Sequence, residues 1–255
     1  PEDRYMVVVG PHAASVEVLM GNYFGLGQTM TTLLEGIAGA APPELRIDYR
    51  KGCLMDREKP NDMDWSTSEA RQADVIIAAM GIDPNLEGEE GDAIQSPHRG
   101  DRIDSALPET QVEYLRLLAE RIRESGSGAR LVVLLFGGSH ISIPEVHDWA
   151  DAVLQVWYPG EAGGTAICRV LFGDVSPSGR MPLTVPFSIK ELPAYEDYSM
   201  AGRTYRFMDE KKMLYPFGFG LSYTKFSYGP VRLAADTITA GDPCELTVEV
   251  TNSGG

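Results

Sequence analysis

The sequence predicts an α/β fold: a mostly parallel sheet sandwiched by helices, followed by an irregular connector and the start of a β-sandwich. Three observations predict it. Over the first two-thirds, short continuously apolar runs alternate with amphipathic stretches. Strands apolar on both faces and spaced by helices belong to a parallel sheet covered on both sides. Residues 174–224 then carry Pro177, Pro182, Pro186, Pro193 and Pro216 among many Gly and Tyr, with little periodicity. From Phe226 apolar and polar residues alternate, which is the pattern of half-buried strands.

The elements follow in order. "YMVVVG" (5–10) is a short buried strand ending in Gly-Pro. Residues 28–38 are helical, with Met30, Leu33, Leu34 and Ile37 at steps of three and four. "LRIDYRKG" (45–52) is a second strand, and "SEARQA" (68–73) a short helix with Ser68 as its cap. "DVIIAAMG" (74–81) is a third strand. The clearest helix is 108–125, where Pro108 suits the first turn and Val112, Leu115, Leu118, Ala119 and Ile122 make one face. "ARLVVLLFGG" (129–138) and "AVLQVWYPG" (152–160) are the fourth and fifth strands, and 161–173 is a further helix. Trp157 and Tyr158 read as core residues. Ligands gather at the carboxyl ends of parallel strands, so the functional rim is 10–25, 81–104, 137–142 and 158–163.

Composition limits the function classes. With 255 residues and 43% hydrophobic content, the chain can build one large domain, or a medium and a smaller one. A net charge of −15 without a Lys/Arg cluster argues against nucleic acid and anionic membrane as partners. No apolar run reaches the ~18 residues of a membrane span. The chain opens on "PEDRYMVVVG", almost at a strand, which reads as a cut or processed piece. Cys53, Cys168 and Cys244 are far apart and read as buried structural thiols. His12, His98, His140 and His147 include no pair at helical metal spacing, and no metal or cofactor is expected. "VVVGPHAAS" lacks the glycine spacing of a dinucleotide turn, and "FGGSHISI" lacks the second glycine of a serine-nucleophile elbow.

One rim segment stands out. "LEGEEGD" (86–92) puts Glu87, Glu89, Glu90 and Asp92 in one loop after the third strand. Crowded carboxylates repel, and one of them then holds its proton near neutral pH. Such an acid is what glycosidic cleavage requires, since the leaving oxygen must be protonated. On the residues alone a solvated acidic loop remains the better account.

Several stretches shift that balance. "GIDPNLEGEEGD…GDRIDSALPETQVEYL", "QVWYPGEAGGTAICRVLFGDVSPSGRMPLTVP", "EDYSMAGRTYRFMDEKKMLYPFGFGLSYTKFSY" and the opening "VVVGPHAAS…GNYFG…TLLEGI" resemble glycoside hydrolase family 3 over nearly the whole chain. The "LEGEE" and "EDYSMAGRTYRF" forms look most like its β-xylosidase and β-glucosidase, exo-acting branch. The resemblance implies three parts: an α/β sandwich domain over 1–185, a connector over 186–225, and a truncated start of a fibronectin-III-like domain over 226–255. It implies a retaining exo-β-glycosidase whose nucleophile, an Asp, lies on a barrel domain absent from this chain, in the same or a separate polypeptide. The general acid/base is implied in the loop ahead of "GDR" (100–102). Short-loop relatives align Glu89, spacing from "GID" also allows Glu87, and Glu90 comes third. The insertion "DAIQSPHR" departs from the short-loop pattern and leaves that choice open. Glu90 is implied to bind the oligosaccharide or glycoside substrate, Asn22 and Tyr23 either line the cleft for that substrate or serve the turn and its packing, and Asp101 and Arg102 are implied to brace the loop as an ion pair. The two reacting carboxyls are expected about 5–5.5 Å apart. A substrate of this kind points to an extracellular or periplasmic setting. A non-catalytic carbohydrate-binding or interaction module is the alternative.

Overall fold

The computed structural model of the chain describes residues 4–22, 24–56, 65–88, 93, 95–96 and 100–254. The elements of its first part are β1 (Tyr5–Val9), α1 (Glu17–Met20), α2 (Leu33–Ala40), β2 (Arg46–Arg50), α3 (Trp65–Glu69), β3 (Val75–Gly81), α4 (Glu109–Ser125), β4 (Arg130–Phe136), α5 (Val146–Trp149), β5 (Ala152–Trp157) and α6 (Gly163–Leu171). The five strands form one sheet in the order β2-β1-β3-β4-β5. Every neighbouring pair is parallel. The α/β fold expected from the apolar runs is the one observed.

The period of two along each strand divides the apolar residues between two cores. From β3, Ile76, Ala78 and Met80 enter one core and Val75, Ile77 and Ala79 the other. From β1, Val7 and Val9 join the first, and Met6 and Val8 the second. Tyr114, Leu115 and Leu118 of α4 close the first core. Leu33 and Ile37 of α2 and Ile167 and Cys168 of α6 close the second. All seven residues of β3 are buried, as befits the central strand. Fully burying one Ile or Leu stabilises by roughly 1.5–3 kcal/mol, so these two layers supply the main driving force for the domain.

Local signals set several boundaries. The side chain of Thr32 caps α2, accepting from the Glu35 N–H while the Glu35 carboxylate accepts from the Thr32 N–H, a reciprocal capping box. This cap starts the helix at Leu33 rather than at 28. Helix α4 starts at Glu109, so Pro108 is its N-cap rather than a first-turn residue, and the buried face centres on Tyr114 and Leu118, with Val112 and Ile122 at its margin. Helix α3 starts at Trp65, so Ser68 lies inside it and is not its cap. Gln111 of α4 is fully buried and grips the end of β3. Its Oε1 accepts from the Gly81 N–H at 2.8 Å, and its Nε2 donates to the carbonyls of Gly81 and Met55, each at 2.7 Å. Cys53 and Cys168 are buried thiols, but Cys244 is exposed, because it lies in the open C-terminal segment rather than against a core.

Beyond the sheet, β6 (Val185–Pro186) pairs antiparallel with β7 (Met213–Tyr215), and α7 (Thr204–Phe207) lies between them. Hydrogen bonds dock this connector on the sheet domain, two of them beside β6 and β7. Ser142 Oγ donates to the Pro186 carbonyl at 2.9 Å, and the Tyr215 hydroxyl meets His147 Nε2 at 2.9 Å. Further on, β8 (Phe226–Tyr228), β9 (Arg232–Leu233), β10 (Leu246–Thr247) and β11 (Val250–Asn252) form two antiparallel pairs, β8 with β11 and β9 with β10. Their apolar side chains, among them Leu233, Leu246 and Val250, are exposed.

Candidate active site

The carboxyl ends of β1, β3, β4 and β5 form one rim, and the loop after β3 lies across it. That loop begins as a turn organised by Asp83. Its Oδ1 accepts from the Asn85 N–H at 2.9 Å, and its carbonyl accepts from the N–H groups of Leu86 and Glu87, each at 3.0 Å. A short Asp side chain bonding the backbone two residues on is an Asx turn. The turn points Glu87 towards β4 and β5.

The Glu87 carboxylate accepts from three donors. Its Oε1 takes the Gly138 backbone N–H and the Tyr158 hydroxyl, the latter at 2.6 Å. Its Oε2 takes the Ser139 hydroxyl at 2.5 Å. The Glu87 carbonyl also accepts from Asn22 Nδ2 at 3.1 Å, which ties in the segment after α1. One residue thus joins the loops following β1, β3, β4 and β5.

Tyr158 reaches this point through an unusual backbone. Trp157 ends β5 at φ +56°, a conformation costly for a bulky residue, and the β4–β5 register shifts between Leu135 and Phe136. The irregularity turns the next side chain over the rim. There the Tyr158 ring lies between two glycines. A Cβ on Gly21 would come within 2.6 Å of the ring, and one on Gly138 within 2.8 Å. Neither position tolerates a side chain while the ring stays. Burial, and then the bond to Glu87, push the Tyr158 hydroxyl well above the usual tyrosine range, so it remains a proton donor.

Arg102 stands behind this arrangement. Its Nη1 donates to Ser139 Oγ at 3.3 Å and its Nη2 to the Ala106 carbonyl at 2.5 Å. The expected brace between Asp101 and Arg102 is therefore replaced by one between Arg102 and the β4 loop, because Asp101 faces solvent. Desolvation lowers the guanidinium pKa, while the charge of Glu87 opposes that change. Neighbouring His140 is shifted towards its neutral form, first by burial and then by Arg102. His12, after β1, is buried, and its pKa falls to about 4 through desolvation. Its ring packs 5.9 Å from that of Phe136, and its Nε2 has no hydrogen-bond partner among the described residues.

Of the residues singled out from sequence, the structure brings Glu87 and Asn22 together. Glu89, Glu90 and Tyr23 lie outside the described residues. Tyr158 packs against the second core, as expected, while its hydroxyl, within the expected rim segment 158–163, reaches Glu87. Ser139 lies on the expected rim segment 137–142. Its partner is the carboxylate of Glu87, not the adjacent His140. An open groove of about 430 Å³ lies alongside, lined by Met20, Phe24, Leu26, Met30, Gly160 and Glu161 among others. No group of His, Cys, Asp or Glu among the described residues is placed to hold a metal ion.

Comparison with known proteins agrees with this architecture. The family model described as "Glycosyl hydrolase family 3 C-terminal domain" matches residues 1–223. The chain is 39% identical over 212 residues to a xylan 1,4-beta-xylosidase of Xylanibacter ruminicola, covering 83% of this chain and 22% of the relative. It is 31% identical over 282 residues to a periplasmic beta-glucosidase of Salmonella typhimurium, covering 98% of this chain and 35% of the relative. A solved structure of a β-glucosidase from Erythrobacter marinus superposes with a TM-score of 0.78 at 32% identity, over 99% of this chain and 35% of that one. The chain thus spans well under half the length of these relatives. With its five-stranded parallel sheet and the carboxylate loop across the rim, the chain belongs to the glycosyl hydrolase family 3 C-terminal domain family.

Proposed function

We propose that the intact protein is a retaining exo-β-glycosidase of the β-xylosidase or β-glucosidase type, acting on an oligosaccharide or glycoside. In this reading the chain supplies the general acid/base, Glu89, with Glu87 as the other candidate. The attacking Asp lies on a barrel domain outside the chain. Glu89 protonates the leaving oxygen, then takes the proton of the water that releases the sugar. Glu90, Asn22 and Tyr23 bind the substrate.

One observation carries the reading: the loop bearing these carboxylates is pinned across the carboxyl rim by Glu87, where a parallel sheet presents its ligands. The activities named for the xylosidase and glucosidase relatives support the substrate class. Two further features support the division into parts. The chain covers 22% and 35% of those relatives. The connector leaves Tyr195 and Tyr198 about nine-tenths exposed, a surface suited to being covered by another domain. The two exposed antiparallel pairs after residue 225 fit the start of a fibronectin-III-like sandwich.

The test is Glu→Gln at 87, 89 and 90 in the full-length protein, assayed on an aryl glycoside with an activated leaving group and on an unactivated oligosaccharide. Replacing the acid should spare kcat/KM on the activated substrate, whose leaving group needs no proton, and lower its kcat, because the same residue activates the water. Full activity of all three variants on the oligosaccharide would remove the assignment.

A further inference from the structure

The rim contains two kinds of carboxylate, and their surroundings separate their roles. A general acid must present an oxygen edge, with its proton, to the substrate. Both oxygens of Glu87 are turned instead towards the protein: Oε1 to the Gly138 N–H and the Tyr158 hydroxyl, Oε2 to the Ser139 hydroxyl. The backbone N–H can only donate, so the oxygen facing it serves as an acceptor. Tyr158 keeps its proton, because burial and the neighbouring carboxylate both disfavour its ionised form. Arg102 fixes the Ser139 hydroxyl from the other side.

The surrounding backbone is shaped for this contact. Trp157 adopts φ +56° where β5 ends, and strain of this kind costs roughly 1–3 kcal/mol and persists where its neighbours enforce it. Gly21 and Gly138 leave the Tyr158 ring a slot with no room for a Cβ on either side. The side chain of Asn22 holds the Glu87 carbonyl, so main chain and side chain of the same residue are both fixed. The loop after β4 and the strained end of β5 converge on the carboxylate, and the segment after α1 holds the carbonyl of the same residue.

We infer that Glu87 is a positioning residue, not the acid: with Tyr158, Gly138 and Ser139 it forms a clamp that sets the acid-bearing loop in register with the sheet. The inference rests on the reading that Glu89, two residues on, is the acid/base. It assigns a role to Tyr158 and Ser139, and it accounts for two glutamates at an interval of two. Loss of the clamp displaces the loop, and misplacement by about 1 Å at a reacting centre costs on the order of 10²-fold in rate.

The experiment uses the full-length protein with the variants E87Q, E87A, Y158F, S139A and E89A, an activated aryl glycoside, an unactivated oligosaccharide, and azide as an added nucleophile. Y158F removes one oxygen atom and leaves the ring in its slot, so it tests the clamp even if a variant at Glu87 fails to fold. Under the inference, Y158F and E87Q lower kcat/KM by about 10- to 100-fold. The loss is greater on the unactivated substrate, whose leaving oxygen needs the displaced acid, and stays smaller than that of E89A. E87Q retains more activity than E87A, because the Gln oxygen still accepts from Gly138. The double variant E87Q/Y158F is no worse than the poorer single, as expected for partners in one network. E89A alone is rescued by azide on the aryl glycoside, with a glycosyl azide as product.

Wild-type kcat/KM in both Y158F and E87Q would overturn the clamp and leave the Glu89 assignment standing. Azide rescue of E87A, with a glycosyl azide as product and no rescue of E89A, would overturn both. Azide rescue of neither E87A nor E89A, with parallel losses in Y158F and E87Q, would keep the clamp and remove Glu89 as the acid.

Discussion

Gly138 and Tyr158 approach so closely that a single added methyl would not fit: a Cβ on Gly138 would stand 2.8 Å from the tyrosine ring and 2.9 Å from the Glu87 carboxylate. The same glycine donates its N–H to that carboxylate. Its missing side chain and its amide therefore serve one contact. Gly138→Ala should keep the fold, since this backbone does not need positive φ, yet lower kcat/KM by roughly 10- to 100-fold through displacement of the loop. Steady-state kinetics beside an unchanged unfolding midpoint would show it, and unaltered kinetics would contradict it.

Gln111 bridges three backbone groups in a fully buried setting. Gln111→Ala leaves the Gly81 N–H and two carbonyls without that partner. A buried group left unpaired costs about 1–3 kcal/mol, and the truncated side chain adds a cavity. Denaturant unfolding should report a loss of about 3 kcal/mol; a loss below about 1 kcal/mol would mean that water replaces the amide.

His12 gives stability a dependence on pH. In the fold it stays neutral down to about pH 4, because burial disfavours the imidazolium. In the unfolded chain an ordinary histidine takes up its proton near pH 6.5. Between these values the unfolded state holds the extra proton, so stability is complete above pH 6.5 and falls as pH falls through this window. The contribution lost by pH 4 is about 3 kcal/mol. Urea midpoints measured from pH 7 to 4.5 should fall more steeply in the wild type than in His12→Leu; parallel curves would refute the assignment.

Thr32→Ala removes one half of the capping box at the start of α2. The expected cost is about 1 kcal/mol. Because α2 packs in the second core beside α6, hydrogen exchange should quicken in α2 before β3. Uniform change across the sheet would argue against a local effect.

Much of this was legible because the signals are local. The all-apolar "VIIAAMG" and "RLVVLLF" announce strands covered on both faces, and their ends locate the rim. The face of α4 follows from its three- and four-residue spacing. Failures came where a distant partner decides. Tyr158 sits in an apolar run and reads as core, where it does pack; its bond to Glu87 depends on the strained turn at Trp157 and the glycines at 21 and 138, which the run does not announce. The start of α2 depended on a reciprocal cap, and α3 began ahead of the polar stretch used to place it. At Glu87 the sequence offered a carboxylate at a plausible interval but not the three donors around it.

Those donors come from far along the chain. The partners of Glu87 lie 51, 52, 65 and 71 residues away. Each bond therefore closes a long loop, and its entropic cost must be met before the contact gives any return. The rim bonds need β1, β3, β4 and β5 in register before they can close, so the rim should form after the sheet and be lost before it. Within the sheet domain, low urea should disorder the rim while the strands still protect their amides. Enzyme activity and exchange protection would then report two separate transitions.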